Sequence, residues 1–436
     1  MHKIIIFGGL ILLAGCIDLA SQVNLAFLQK WKETEDQPKI RQNAWERWKS
    51  ISLPDQQDPE QLPRWLRWEQ REKVLLLGSP KMFHSGARRA KSHFPTLTFP
   101  KQLEQGQRPS SMGKSLELLP PPLAIYFNPA LAADLRKKFY PATMAGKSLQ
   151  LDHSKTVVEF HNSFPPEVKG AERKIPELDS DSIAIKTIWW PVAGQNWRQH
   201  AVPVWRGESK NPVSKDRELV TTWADPILVD TSQAIRVAPK ACPESTPYTS
   251  SADYSSYQTV PLKDFYYIPI VSCDQVKALV DVSSTFSWVR PGDFIVLMAM
   301  HVATREIENW TWSTFWWNPL GSDLEFAKDK PASGIPAPWN NYLMNATLNM
   351  TNPTTGVKIR IYSPWLEMLG NRDGVNSNCM SCHRSASYPK LSLAVIPHSG
   401  EVRPDSKLLN CKTKLSFLWS LASHTPQPER PGLCRP

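Results

Sequence analysis

The sequence predicts a mixed α+β fold that is mainly β, with a helical N-terminal segment packed on a β-rich core. The 436 residues include 39 prolines, which break helices and are tolerated at turns and strand edges, so a helical bundle is disfavoured. Residues 294–302 form a run that is apolar on both faces, as in a central strand. Between Val23 and Val74, by contrast, tryptophans and charges follow a helical spacing.

Composition divides the chain into segments. Residues 16–78 are expected to be helical, and Trp45 and Trp48 there share one helix face because they lie three positions apart. Tryptophans that share one helix face typically pack into a hydrophobic core. Residues 79–122 are rich in Pro, Ser and basic residues and are expected to form a linker. Residues 123–436 are expected to form the β-rich core domain.

Four runs of the core region have the composition of strands. Residues 183–192 and 294–302 are the longest, and residues 310–317 follow the second after a short turn, so these two are expected to form a hairpin. Residues 357–362 alternate apolar and polar side chains and predict a further strand.

The first residues resemble an export signal. Lys3 precedes an apolar run that ends at Leu13, which is too short to span a bilayer as a mature helix. The Leu-Ala-Gly-Cys sequence that follows looks like a bacterial lipobox, which implies removal of residues 1–15 and lipidation of Cys16. A plain secretory signal or an uncleaved anchor is the alternative. The resemblance, with Ile17 rather than Asp after the cysteine, implies attachment to the outer membrane, facing the periplasm.

A formal net charge of +10 indicates an acidic protein partner or an anionic membrane surface. Export makes nucleic acid an improbable partner. The expected contacts are therefore the membrane, through the lipid anchor, and an acidic periplasmic protein.

One short run carries recognisable chemistry, namely the sequence Cys-Met-Ser-Cys-His at residues 379–383. Two closely spaced thiols suit the two vinyl groups of haem, and the histidine directly after the second thiol falls under the iron. The run therefore predicts one covalently attached haem c, held by Cys379 and Cys382 with His383 as an axial ligand. A zinc site or a redox dithiol are the alternatives.

The other cysteines suit an oxidising compartment. Apart from Cys16 and the two haem cysteines, Cys242, Cys273, Cys411 and Cys434 remain. Three pairings are possible, and the nearest-neighbour one, Cys242–Cys273 and Cys411–Cys434, is favoured.

The haem motif lies near the C-terminus, within an attachment segment at 376–390, and no Met follows Met380. A standard all-α cytochrome c domain is therefore not expected, and upstream chain must complete the haem pocket. His301 is the first candidate for the opposite axial position or for the pocket wall, because it interrupts an apolar strand. The alternatives are an open iron or one of four other residues: Met298, Met300, His398 and His424.

Further pocket residues are suggested by proximity in sequence. Arg384 and Lys390 are candidates to neutralise the haem propionates, although both also suit a solvated surface. Tyr388 and Tyr362 are candidates to line the haem.

Several of these stretches together resemble a known group of proteins. Residues 301–305 followed by residues 310–315, with the strand at 186–189 and the motif at 378–383, are similar to large exported bacterial proteins of the cytochrome c family with a single haem-c motif. The resemblance spans about residues 127–389. It implies haem and secretion but no particular reaction, and residues 316–319 depart from the ending found in many relatives.

Three functions fit these features. The first is electron transfer to or from a periplasmic redox partner. The second is a haem-dependent, peroxidase-like oxidoreductase whose substrate lies in the β core. The third is a haem-based sensor or binding protein. The sequence shows no catalytic acid–base pair, so the state of the iron is the feature that separates the three.

Overall fold

The computed structural model describes most of the chain. The described residues are 25–75, 93–98, 121–139, 153–165, 167–168, 170, 172–207, 223, 225–234, 241–246, 254, 256–319, 325–327, 329–367, 376–391, 407–423 and 425. No helix within these ranges is long and apolar enough to cross a membrane. Several sequence predictions lie outside them: the signal at 1–15, Cys16, His398, His424, Cys434 and most of the linker at 79–122.

Twelve strands are found in the described residues. They are β1 Glu69–Gln70, β2 Leu123–Phe127, β3 Ile183–Val192, β4 Ala201–Val202, β5 Ile227–Asp230, β6 Gln258–Pro261, β7 Tyr267–Pro269, β8 Phe294–Thr304, β9 Thr311–Trp317, β10 Tyr342–Thr347, β11 Ser387–Tyr388 and β12 Thr413–Lys414. Seven of them form one antiparallel sheet in the order β1-β2-β3-β8-β9-β10, with β7 also paired to β8. The predicted α+β, mainly β fold is confirmed.

Strand β8 lies in the middle of this sheet. It pairs with β3 on one side and with β9 on the other, and the β8–β9 hairpin closes where Thr304 faces Thr311. The strand is buried along nearly its whole length, because both faces of the sheet are covered. The predicted central strand and hairpin are therefore both present, with β8 two residues longer than expected.

Helices surround the sheet. They are α1 at 25–34, α2 Gln37–Ser52, α3 Arg71–Leu75, α4 Pro129–Phe139, α5 His153–Ser163, α6 Cys273–Val282, α7 Cys379–Arg384 and α8 Trp419–Ser423. The N-terminal segment is thus partly helical, as predicted.

Helix α2 shows how the N-terminal segment joins the core. The Asp36 side chain caps its first turn by accepting a hydrogen bond from the Lys39 amide, which satisfies a donor that has no helical partner. Trp45 and Trp48 are fully buried, and the Trp48 ring stacks on Phe315 of β9 with centroids 4.3 Å apart. The helix and the sheet therefore share one hydrophobic core.

The strand predicted at 357–362 is wrong. This stretch forms only isolated bridges, from Lys358 to Thr351 and from Ile361 to Asn378. Gly356, at φ 69°, turns the chain immediately before it, and the Val357 side chain is 64% exposed. Alternation alone did not make a strand here, because the stretch pairs with no continuous neighbour.

A disulfide joins Cys242 to Cys273, with the two Cα atoms 5.4 Å apart. Cys411 is also disulfide-bonded. Because Cys434 lies outside the described residues, the pairing of Cys411 with Cys434 stays a prediction.

Candidate cofactor site

A deep cleft separates one face of the large sheet from the C-terminal part of the chain. Its empty volume, which includes open solvent at the mouth, is about 1150 Å³. Strands β2, β3, β8 and β9 form one wall, and helices α7 and α8 with the loop before α8 form the other. Most of the lining side chains are apolar or aromatic.

Helix α7 carries the three residues of the predicted haem motif. Positions 379, 382 and 383 are spaced i, i+3 and i+4, so their side chains project from one face of the helix, and all three line the cleft. The side-chain oxygen of Asn378 caps the helix by accepting from the Met380 amide at 3.0 Å. The Asn378 amide group also donates to the Ile359 carbonyl at 2.9 Å. The start of α7 is thereby fixed to the stretch before it.

The imidazole of His383 has a defined orientation. Its Nδ1 lies 2.8 Å from the Phe417 carbonyl oxygen, which only accepts, so Nδ1 must carry the proton. The lone pair is then on Nε2. Burial lowers the pKa of His383 to about 3, which keeps the ring neutral. The Trp312 ring packs against it with centroids 4.5 Å apart. A neutral imidazole with its lone pair on Nε2 is a form in which histidine binds a metal ion.

Strained backbone surrounds the same imidazole. Ser416 and Phe417 have φ values of 47° and 65°, and Trp310, which also lines the cleft, has φ 61°. Non-glycine residues in this left-handed region each cost about 1–3 kcal/mol and concentrate at functional sites. The strain at Phe417 serves an evident purpose here, because it presents the carbonyl that orients His383.

Cys379 and Cys382 are both free thiols. Burial raises the pKa of Cys379 well above its usual range and that of Cys382 to about 11, so both are protonated at neutral pH. A redox dithiol requires the opposite, a lowered pKa at the attacking cysteine. The Trp419 indole donates to the Cys382 carbonyl at 3.0 Å and holds this end of α7 against α8.

His301 faces the motif from the sheet. Its Nδ1 lies 4.0 Å from the Cys379 sulfur, and its Nε2 lies 3.5 Å from a carboxylate oxygen of Glu367. Nε2 is buried and has no hydrogen-bond partner among the described residues. Burial also lowers the pKa of His301 well below its usual value, so the ring is neutral. The neutral ring therefore lines the cleft with Nε2 beside the Glu367 carboxylate, at a separation too long and unaligned for a hydrogen bond.

Two charged residues beside His301 were not identified from the sequence. Lys186 is the Cα partner of His301 on β3, and Glu367 lies in the loop after Ile361. The Glu367 carboxylate accepts from the Ser363 amide at 2.6 Å, and burial raises its pKa to about 7. Burial lowers the pKa of Lys186. A lysine within an apolar strand was the available signal for Lys186, whereas nothing in the sequence distinguished Glu367.

Not every residue suggested by the sequence reaches the cleft. Lys390 lines it, but Arg384 and Tyr388 are not among the described residues that do. The Arg384 guanidinium lies 3.5 Å from the Asn309 side chain, and the Tyr388 ring packs edge-on against His161. Tyr362 packs against Phe326 in the core instead. Proximity in sequence was a poor guide because α7 is short and the chain turns away after it.

The alternation of β8 separates His301 from the two methionines near it. Side chains at 299, 301 and 303 share one face of the strand, and those at 298 and 300 share the other. Met298 and Met300 are fully buried in the core and do not line the cleft. Of these three candidates on β8, only His301 lines the cleft.

Comparison with known proteins adds no assignment: no family model, curated protein or solved structure matches the chain. The interpretation of the site therefore depends on its own residues and geometry.

Proposed function

We propose that this protein is an exported, lipid-anchored c-type cytochrome that transfers electrons to or from a periplasmic redox partner. One haem is bound covalently through Cys379 and Cys382, with His383 as an axial ligand. The observation that carries the proposal is the hydrogen bond from His383 Nδ1 to the Phe417 carbonyl oxygen at 2.8 Å. It leaves Nε2 free on a motif whose two thiols line the same cleft.

The residues that line the cleft suit a haem in composition. Aromatic and aliphatic side chains from both walls, among them Phe127, Trp312 and Trp419, match a flat apolar macrocycle. Lys186 and Lys390 also line the cleft and offer basic side chains to the propionates, whereas the Arg71 guanidinium is paired with Glu72. The residues present therefore fit the group.

Each of these residues has a separate role. When bound, haem supplies one-electron redox chemistry. Cys379 and Cys382 fix the haem edge through thioether bonds, the Phe417 carbonyl holds the His383 ring in place, and the aromatic walls exclude water. In this proposal His301 would also hold the group, through its buried Nε2. With two histidines bound, haem would be closed to substrates and would supply electron transfer.

Haem-dependent catalysis is the second candidate, and one observation favours it. Glu367 and Lys186 place a carboxylate and an amine beside His301, in the same cleft. Groups of this type donate and accept protons during reactions at an open iron. If His301 does not bind the iron, these three side chains form the wall of a substrate pocket.

The proposed cellular location and the proposed redox partner are supported by the sequence alone. The lipobox-like signal supports lipidation at Cys16 and a periplasmic position, with the outer membrane as the favoured one. The net charge of +10 supports an acidic redox partner.

Covalent haem is the property to test first. The full chain is produced in bacteria with an active haem-attachment system, and haem is detected on denaturing gels and by mass. Wild type should carry one haem, and the Cys382→Ser variant should lose the two-thioether product. The matched control is Cys242→Ser/Cys273→Ser, which removes two cysteines but leaves the motif. Wild-type protein without covalent haem would overturn the proposal.

A further inference from the structure

Three metal-ligating side chains meet at the inner end of the cleft. His301, Glu367 and Cys379 each offer one ligand atom, and these atoms lie within 4.8 Å of one another. Imidazole, carboxylate and thiolate are the ligands that Zn²⁺ takes in proteins. We propose that the chain without haem binds a divalent transition-metal ion of the Zn²⁺ type through these three side chains. This site goes beyond the proposed electron-transfer function and does not depend on it.

The separations are close to those of a coordinated ion. Zinc lies about 2.0–2.3 Å from its nitrogen, oxygen and sulfur ligands, so ligand atoms in a tetrahedral site are roughly 3.4–3.6 Å apart. The Nε2 of His301 is 3.5 Å from the Glu367 oxygen, whereas the Cys379 sulfur lies 4.0 Å from the other ring nitrogen, Nδ1. Because one ion binds only one nitrogen of the ring, the Cys379 side chain or the imidazole must rotate to bring all three ligand atoms, now within 4.8 Å of one another, onto the ion. A fourth position is left for water.

The ligand atoms are available and oriented. His301 Nε2 is buried with no hydrogen-bond partner in the described part of the chain. One oxygen of Glu367 accepts from the Ser363 amide, which holds the carboxylate and leaves the other oxygen toward His301. Binding releases the proton of the Cys379 thiol to water, and the resulting thiolate and the Glu367 carboxylate neutralise the two charges of the ion. The nearby Lys186 ammonium opposes a cation, so the affinity should lie below that of a closed four-ligand zinc site.

The metal and the proposed haem compete for the Cys379 sulfur and for the His301 imidazole. Cys379 belongs to both sites, whereas Cys382 and His383 belong only to the haem motif. A metal ion on the haem-free chain therefore withholds Cys379 from thioether formation. The same difference in membership allows the two sites to be tested separately.

The experiment uses the full chain with Cys16→Ser, exported in cells that lack haem attachment so that the disulfides form. Co²⁺ is added and the absorption spectrum is followed, and Zn²⁺ is then titrated by calorimetry. Wild type should show the ligand-field bands of tetrahedral Co²⁺ and a thiolate-to-cobalt charge-transfer band, both abolished by one equivalent of Zn²⁺. His301→Ala and Glu367→Gln should each weaken Zn²⁺ binding at least tenfold, with unchanged circular dichroism.

Two further variants show whether the ion binds the three proposed side chains or the residues of the haem motif. Cys382→Ser should keep the cobalt spectrum while losing two-thioether haem, so the metal site and the haem site fail independently. His161→Ala, which removes a histidine outside the cluster, should bind like wild type. Absence of the thiolate-to-cobalt band in wild type would overturn the proposal. So would a loss in Cys382→Ser as large as that in His301→Ala, because the ligands would then be those of the haem motif.

Discussion

The imidazole of His383 is held by the backbone of Phe417, whose carbonyl oxygen accepts from Nδ1 at 2.8 Å. Phe417 adopts φ 65°, a conformation that costs about 1–2 kcal/mol for an L-residue. The backbone of Phe417 therefore supplies the hydrogen bond to the histidine, while its ring packs against Trp312, which in turn packs against the imidazole. Substitutions at this position separate the two contributions.

Replacing Phe417 by Val should disturb His383 more than replacing it by Ala. Both variants lose the ring, but a β-branched side chain strongly disfavours positive φ, so Val shifts the carbonyl away from Nδ1. The hydrogen bond makes the imidazole a more basic ligand and so stabilises oxidised iron. Phe417→Val should accordingly have the higher haem reduction potential in a spectroelectrochemical titration, and should be less stable to urea by about 1 kcal/mol. Equal potentials in the two variants would contradict this role for the carbonyl.

The carboxyl group of Glu367 should make stability depend on pH near neutrality. Its folded pKa of about 7 lies above the usual value of 4.5, so the folded state binds the extra proton. The free energy of unfolding should therefore rise as the pH falls through 7, by about 1 kcal/mol between pH 8 and pH 6. Urea unfolding of the haem-free chain at the two pH values, with and without Glu367→Gln, measures this contribution.

The contribution of Glu367 to the pH dependence of stability is obtained from the difference between wild type and the Glu367→Gln variant. The buried His301 and His383 have lowered pKa values, so they act in the opposite direction and reduce stability as the pH falls below about 6.5. The contribution of His383 is common to wild type and Glu367→Gln, whereas His301 contacts Glu367 at 3.5 Å, so the difference measures Glu367 together with that contact. Glu33→Gln, at an exposed position on α1, is the matched control. A pH dependence in Glu367→Gln identical to that of wild type would exclude the raised pKa.

The Cys242–Cys273 disulfide should contribute to stability without affecting the cofactor. It closes a loop with a sequence separation of 31, which corresponds to about 3–4 kcal/mol in the chain-entropy model. The Cys242→Ala/Cys273→Ala variant should lose that much in urea unfolding and still attach haem. A change below about 1 kcal/mol would mean that the unfolded chain is not constrained by this bond.

The fold class and the Cys-Met-Ser-Cys-His run could be predicted from the sequence. The residues that face this run from the sheet side of the cleft could be predicted only in part. The motif is local, since its three candidate residues lie within five positions, and β8 was recognisable from its apolar composition. The sequence favoured His301 because it interrupts this apolar strand, and the structure adds that strand alternation places Met298 and Met300 on the face away from the cleft.

Glu367 illustrates what the sequence could not provide. It lies 66 positions from His301, in irregular chain, and a hydrogen bond from the Ser363 amide turns it toward the histidine. No periodicity marks such a residue, because its position depends on how the loop after Ile361 crosses the cleft. The failure of the predicted strand at 357–362 has the same origin, since alternation was counted without knowing whether a partner strand lay beside it.

Replacing His301 by Ala should open the iron of the haem-loaded protein. In the proposed cytochrome, His383 and His301 occupy both axial positions, so reduced wild type should be low-spin and should not bind carbon monoxide. The variant loses the buried Nε2 and should become high-spin and bind carbon monoxide stoichiometrically. Absorption spectra of the reduced protein, before and after addition of the gas, measure both changes.

The matched control is His161→Ala, because His161 is also partly buried but bonds Thr413 and does not line the cleft. Its spectrum should equal that of wild type. If wild type itself binds carbon monoxide, His301 is not a ligand, and the Glu367 and Lys186 side chains beside an open iron make catalysis the better proposal. If wild type excludes the gas and His301→Ala does so equally, another residue binds the iron, and the assignment of His301 is wrong.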